Sequence, residues 1–182
     1  GDEHGQAITL HQLGMIAAER RDFGAAVDWY RRSLAIEEKI GDEYSQGVTL
    51  HQLGVIAQER RDFDEAENWC RRSLAIKEKI DDEHGQAQTL HQFGIIAQAR
   101  RDFGAAENWY RRSLAIEEKI GDKQSQAGTL HQLGRIAEEQ EHFDAAEAFY
   151  LRAEAIVQLM KDPYHLDMVQ QSLKRVREKR NA

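Results

Sequence analysis

The 182 residues include one cysteine, one proline and 8% aromatics. A single thiol, Cys70, cannot form an internal disulfide, so the cystine frameworks of small secreted domains are excluded. No apolar run approaches the roughly 20 residues that span a bilayer, and no segment has the form of a signal peptide. Gly-rich phosphate loops, HExxH helices and GxSxG elbows are also missing, so the sequence carries none of those signatures of catalysis. Positive charge is in deficit: 25 Lys+Arg stand against 32 Asp+Glu, a net charge of −7 that opposes whole-surface attraction to phosphate backbones. Only the stretch from Lys174 to Arg180 is locally basic. The expectation is a cytoplasmic protein that acts without a cofactor. The first residue is Gly1 rather than Met, which we read as the mark of a fragment of a longer protein.

What the sequence has in abundance is itself. Shifted by forty residues, it falls into four near-copies, 1–40, 41–80, 81–120 and 121–160, and the first and third agree at 32 of 40 positions. A period of this size marks a supersecondary unit that cannot bury its apolar face alone and stacks on copies of itself. Such an array does not by itself imply a catalytic pocket.

Each copy divides into two helices. In copy one Ala7, Leu10, Leu13, Gly14 and Ala17 fall on one face of a first helix, here called helix A. Arg21-Asp22 makes a short connection, with Asp22 placed as an N-cap. Ala26, Tyr30 and Leu34 follow at i, i+4 and i+8 in helix B, which runs to Ile40; Gly41 then supplies a residue able to take positive φ, and Asp42 a fresh cap. In copy two Asp62 and Glu65 have the spacing of a capping box. Short connections make neighbouring helices antiparallel. Beyond Met160 the repeat gives way to Asp162-Pro163, read as N-cap and N1, and to an apolar face of Leu166, Val169, Leu173 and Val176. With Lys174, Arg175, Arg177, Lys179 and Arg180 on its other faces, residues 161–182 are expected to form a helix that caps the stack.

The run Leu10-x2-Leu13-Gly14-x2-Ala17, followed by Ala26-x3-Tyr30, resembles the tetratricopeptide repeat, and the pattern recurs in all four copies across residues 1–160. Gly14, Gly54, Gly94 and Gly134, with Ala26, Ala66, Ala106 and Ala146, would let helices A and B approach closely. Two departures stand out: Leu10 replaces the first aromatic, and Glu38 stands where a helix-ending proline is usual. The forty-residue copy is similar to the longer repeats of kinesin light chain and of bacterial signalling proteins. The resemblance implies an all-α fold, an α-solenoid of antiparallel helix pairs winding as a right-handed superhelix. It also implies a protein-interaction module or scaffold, the sensor or scaffold part of a larger signalling protein, whose concave groove is lined by the A helices.

Advancing about 100° per residue from Leu10 places Ile8, His11, Gln12, Met15, Ala18 and Glu19 opposite the core positions. The copies differ there: Ile8, Val48, Gln88 and Gly128; Met15, Val55, Ile95 and Arg135; Ala18, Gln58, Gln98 and Glu138. Helix B varies at Val27, Glu67, Glu107 and Glu147. Such a groove is not uniform along its length. Two of its positions do not vary, His11, His51, His91 and His131, each followed by Gln12, Gln52, Gln92 and Gln132. One reading makes them a ladder of donors and acceptors for a bound extended peptide. The other makes them hydrogen bonds between neighbouring A helices. The candidate peptide-binding residues are therefore His11, Gln12, Met15, Val48, His51, Gln52, Val55, Gln58, Gln88, His91, Gln92, Ile95, Gln98, His131, Gln132 and Arg135, with the central His51, Gln52, His91 and Gln92 foremost.

Other chemistries fit less well. Zinc needs ligands at about 2.0–2.1 Å around one ion, whereas one His per repeat on helices about 8–10 Å apart cannot close a site. His4 and His84, near helix starts, are expected in solvent, and a groove of imidazoles that titrate near pH 6.5 would be pH-sensitive. Cys70 replaces Tyr30, Tyr110 and Tyr150 and is expected to be an inert buried thiol. Asp28 with Arg31 and Arg32, Glu67 with Arg71, and Glu107 with Arg111 read as solvated helix-surface pairs. Trp29, Trp69 and Trp109 follow the repeat as packing or a surface ridge. The places of the Lys and Asn set of carboxylate-clamp co-chaperones hold His and Gln, which disfavours chaperone tails as ligands. Alternatives to a peptide partner are a homo-oligomer formed through exposed repeat ends, and a weak nucleic-acid contact through the basic C-terminal helix and the pairs Arg20-Arg21, Arg60-Arg61 and Arg100-Arg101.

Overall fold

A computed structural model describes residues 2–181. Among the described residues there are nine α-helices and no strand: α1 (Glu3–Glu19), α2 (Phe23–Ile40), α3 (Glu43–Glu59), α4 (Phe63–Lys79), α5 (Glu83–Ala99), α6 (Phe103–Ile120), α7 (Lys123–Glu139), α8 (Phe143–Met160) and α9 (Pro163–Arg180). None is long and apolar enough to cross a membrane. The fold is an all-α helical repeat, with α1, α3, α5 and α7 as A helices and α2, α4, α6 and α8 as B helices.

Caps follow the sequence punctuation closely. The carboxylates of Asp2, Asp22, Asp42, Asp62, Asp82, Asp102, Asp122 and Asp162 each accept the backbone N–H three residues on. His142 takes the place of the aspartate before α8 and makes no side-chain cap bond. The capping box of copy two closes on one side only. The Asp62 N–H already donates to Ala57 O at 2.9 Å, and Glu65 turns outward to Arg31 at 3.3 Å. Gly41 and Gly121 take φ of 72° and 74° after the B helices, and Asp81 and Lys161 hold the same left-handed conformation in the other two copies. The A-to-B turns contain a further left-handed residue, Arg21, Arg61, Arg101 or Glu141, at φ of 60–63°. The guanidinium of each arginine lies over the following phenylalanine, 5.2 Å from the Phe23 centroid in the first copy.

Two compact units divide the chain, one reaching Gln92 and the other starting at Phe93. The core of the first contains Ala17, Ala26, Tyr30, Leu34, Leu50, Leu53 and Ile56, buried between α1, α2 and α3. Leu53 is 1% exposed, whereas Leu13, its equivalent in α1, is 37% exposed because no described helix packs on that side of α1. The second core gathers Ala106, Tyr110, Leu130, Leu133, Ile136, Ala146 and Tyr150, and α9 closes it with Val169, Leu173 and Val176.

Helices A and B touch at the glycine of each copy. A Cβ on Gly14, Gly94 or Gly134 would stand 2.7, 2.5 or 2.5 Å from the ring of Tyr30, Tyr110 or Tyr150, and one on Gly54 would stand 2.7 Å from Cys70 Sγ. These rings are at most 1% exposed and have no room to retreat. Glycine is required here by contact and not by backbone angle. Replacing Gly134 by Ala is expected to cost about 1–3 kcal/mol through overpacking. Gly128, with nothing within 4 Å of a Cβ, is expected to gain roughly 0.5–1 kcal/mol from the same change, as glycine in a helix interior generally does. Denaturant unfolding of the two variants checks both signs.

Candidate peptide-binding face

The variable residues of the A helices lie where the periodicity puts them, opposite the core, and they differ in exposure. Ile8 and Met15 are each 45% exposed, Gln12 is exposed, Val48, Gln52, Val55 and Gln58 are half-buried, and Gln88 is exposed. In the second unit Arg135 is exposed, and Ile95, Gln98 and Gln132 are half-buried. Ile8, His11, Gln12, Met15 and Val48 come together around one cavity of about 270 Å³ between α1 and α3. Other candidates are half-buried and also make internal contacts. Gln98 accepts from the Tyr110 hydroxyl at 3.1 Å, Gln132 accepts from Arg135 at 3.2 Å, and Ile95 packs on the second core. Gln92 is only 6% exposed and donates to Gln58 across 3.5 Å.

The histidine ladder joins neighbouring helices. His11 Nδ1 is 2.9 Å from Thr49 Oγ1, His51 Nδ1 is 3.4 Å from Thr89 Oγ1, and His131 Nε2 is 3.1 Å from Ser172 Oγ on the cap. His11 and His131 also pack against Tyr30 and Tyr150 at ring separations of 5.1 and 5.3 Å. Burial pushes the imidazoles down, His51 to about 3 and His91 and His131 to about 4, and Lys77 beside His51 adds to the effect. Of the two roles open to these histidines, the inter-repeat bond is the one the geometry displays. His84 is bonded to Gln88 at 2.9 Å, and His4 lies 3.4 Å from Asp42.

A second polar series lies beneath the ladder and carries no chemical motif in the sequence. Thr9, Thr49, Thr89 and Thr129 precede the core leucine of each A helix, and helix B presents Glu37, Lys77, Glu117 and Val157 at matching positions. Glu37 and Glu117 are 2% and 1% exposed, and each Oε1 is bonded to a serine one turn back and to the threonine of the next A helix at 2.7 and 2.9 Å. Burial raises both carboxyls, against the lowering effect of those hydrogen bonds. In copy two Lys77 Nζ donates to Thr89 at 3.0 Å, and burial brings its ammonium down to about 8. Gly47 and Gly85 make room for its stem, since a Cβ on them would meet Lys77 Cγ at 3.3 Å and Cδ at 2.9 Å. The visible signal was a charged residue on the core side of an otherwise apolar helix face.

The basic cap is largely engaged with the repeat beneath it. Arg175 makes two bonds to Glu138 at 2.8 and 2.9 Å, Lys179 reaches the same carboxylate at 2.9 Å, and Arg177 meets Glu147 at 2.6 Å. Arg180 pairs with Asp144 at 3.3 Å and also with Glu147. Arg175 above all holds Glu138 down to about 2. Cys70 is fully buried, and burial pushes its thiol up to about 12. Trp29, Trp69 and Trp109 are half-buried under arginines 4.5–4.8 Å from their rings. The pairs Glu67–Arg71 and Glu107–Arg111 form on the surface at 2.6 and 2.7 Å. Among the described residues no three His, Cys, Asp or Glu side chains are grouped to hold a metal ion.

These shifts have opposite reach along the pH axis. The buried imidazoles resist protonation in the fold, so the unfolded chain takes up more protons below pH 6.5 and stability falls as pH drops toward 4 and 3. Lys77 is held near 8 against 10.5 when unfolded. The unfolded chain therefore binds more protons between those values, and the Lys77 contribution to stability rises with pH across them. Lys77→Met is expected to raise the melting temperature at pH 7, with the advantage shrinking from pH 8 to 10.5. Thermal denaturation of both proteins across this range checks it.

The chain also matches known repeat models and folds. A family model described as Tetratricopeptide repeat matches residues 45–119, and two further models of the same description match residues 7–43 and 127–156. No curated protein matches the sequence. Among solved structures, the apo form of RapI is similar with a TM-score of 0.86 at 15% identity, over 96% of this chain and 64% of that one. A Rap protein complexed with Competence and Sporulation Factor gives 0.78 at 15% identity, over 97% and 49%. A putative kinesin light chain from Podospora anserina with nearly identical TPR-like repeats gives 0.77 at 20% identity, over 95% and 86%. The chain thus spans 64% of the length of RapI and 49% of the Rap protein. With matched stretches in every copy, the chain belongs to the tetratricopeptide-repeat family.

Proposed function

We propose that this chain is a non-catalytic protein-interaction module that takes up a peptide or helix of a partner protein in the groove lined by its A helices. Residues 1–160 supply four repeats and 161–182 the cap, within a longer cytoplasmic signalling or regulatory protein. The observation that carries this reading is the divergence of the copies on that face together with its exposure. The copies vary at the Ile8, Met15 and Ala18 positions, and in the first unit apolar side chains there remain exposed. A structural spacer has no use for such differences. The similar Rap protein is complexed with Competence and Sporulation Factor, which fits a ligand-binding role for the repeats here. The binding residues proposed are the exposed and half-buried ones, Gln12, Met15, Val48, Gln52, Val55, Gln58, Gln88, Ile95, Gln98, Gln132 and Arg135. The histidines and Gln92 are proposed to hold neighbouring A helices together and to set the spacing of that face.

Random-peptide display against the whole chain, followed by fluorescence anisotropy of the selected peptides, tests this. A Met15→Arg, Val55→Arg variant is expected to lose at least about tenfold in affinity while its circular dichroism is unchanged, because each change puts a charge into an apolar contact. Unchanged affinity would move binding off the A helices, and selection of no peptide would overturn the reading. A second reading, self-association, is favoured by Leu159 at 82% and Tyr164 at 78% exposure beside the α8–α9 turn. Light scattering after size exclusion is expected to show a concentration-dependent dimer that Leu159→Glu, Tyr164→Glu abolishes; a monomer at every concentration would remove it.

A further inference from the structure

The cavity between α1 and α3 has a chemical character that its apolar rim conceals. Ala7, Ile8, Met15, Tyr44 and Val48 line it, and so does Glu37 from α2. Glu37 is 2% exposed, and its Oε2 is buried without a hydrogen-bond partner. A buried carboxyl oxygen with no donor forfeits its full desolvation free energy, which makes it the most demanding polar atom in this unit.

The neighbours define what it lacks. Ser33 Oγ lies 2.7 Å from both Ala7 O and Glu37 Oε1, and its one proton serves only one of them. Donation to Ala7 O would put the Glu37 proton on Oε1, which leaves Oε2 a carbonyl acceptor; ionisation makes Oε2 a stronger one. In either state it needs a donor. Asp42 and Glu38 surround it with negative charge, which is why they raise its pKa further after burial. The imidazoles nearby are His4, which pairs with Asp42 at 3.4 Å, and His11, which burial keeps toward the neutral form and which is bonded to Thr49. A donor arriving there therefore gains most if it is a cation. The next repeat supplies the precedent. At the position equivalent to Glu37, Lys77 buries its stem and lays its ammonium on Thr89, the counterpart of Thr49.

We propose that this cavity is a subsite for a lysine side chain of the bound peptide, its methylene stem packed among Ile8, Met15 and Val48 and its ammonium donating to Glu37 Oε2. The inference rests on the peptide-binding reading above and adds to it the selection of a basic residue opposite α1 and α3. A charge-assisted bond in a cavity with an apolar rim is the strong kind, and it offsets the desolvation of the ammonium.

The chain has three methionines, and they make the test direct. Met15 lines this cavity, whereas Met160 and Met168 line another in the second unit. With ¹³C-methyl methionine in the full chain, an acetylated, amidated alanine–leucine pentapeptide with a central lysine is titrated beside its norleucine counterpart. The lysine peptide is expected to shift the Met15 methyl with a Kd about tenfold or more below that of the norleucine peptide. E37Q should bring the ratio near one, with Met160 and Met168 unmoved throughout. Because E37Q alters a buried group, Ile8→Trp serves as a second variant that fills the cavity mouth and should abolish the Met15 response. An equal response to both peptides would overturn the lysine subsite and leave the A-helix face as a peptide surface. No Met15 response at millimolar peptide would overturn the subsite as well, and the display experiment would then decide the broader reading by itself.

Discussion

Each repeat depends on how closely two helices can approach. Where helix A carries Gly14, Gly94 or Gly134, the ring of a tyrosine from helix B occupies the space a Cβ would need. That contact sets the separation of each helix pair, and the alanines at Ala26, Ala106 and Ala146, all 0% exposed, fill the rest of the crossing. Copy two keeps the geometry with a smaller group, Cys70 Sγ against Gly54. The thiol is therefore a packing residue, and burial disfavours the thiolate that reactivity would require.

Once pairs are spaced in this way, the junction between one pair and the next has to be made from what remains. The chain makes it partly polar. Ser33 and Ser73 donate to the backbone carbonyls of Ala7 and Gly47 at 2.7 Å, binding helix B to its own helix A. Thr49 and Thr89 then connect the buried Glu37 or Lys77 to the histidine of the preceding helix. A junction of directional bonds fixes register more strictly than an apolar one, because sliding by one turn would strand several buried groups at once. It also places ionisable groups beneath the outward residues of the A helices.

The same division explains the cap. Val169, Leu173 and Val176 cover the last apolar surface, while Arg175 and Lys179 converge on Glu138. Glu138 is 8% exposed, and in the other copies this position holds Ala18, Gln58 and Gln98. The fourth repeat has changed its outward residue into the socket for the helix that ends it. The basicity of α9, which as a sequence feature suggested a nucleic-acid contact, is in large part an internal ion-pair network.

How much was legible follows from which interactions are local. Helix extents, the aspartate caps, the left-handed glycines and the apolar faces depend on residues within one or two turns, and the sequence determined them by itself. Fourfold repetition then made the antiparallel pairing and the family resemblance readable as well. The candidate face was legible as a set of outward positions, since 3.6-residue periodicity fixes direction. Its chemistry was not. Whether His51 meets a ligand or Thr89, whether Gln98 is open or bonded to Tyr110, and whether Glu37 is solvated or buried under α3 are settled by partners 12 to 38 residues away. The half-closed capping box of Asp62 is the same lesson in miniature, for Glu65 is drawn off by Arg31 of another helix. The sequence by itself determined the unit and its outward face; tertiary packing alone decided which polar groups lost their water, because desolvation is a property of neighbours and not of spacing.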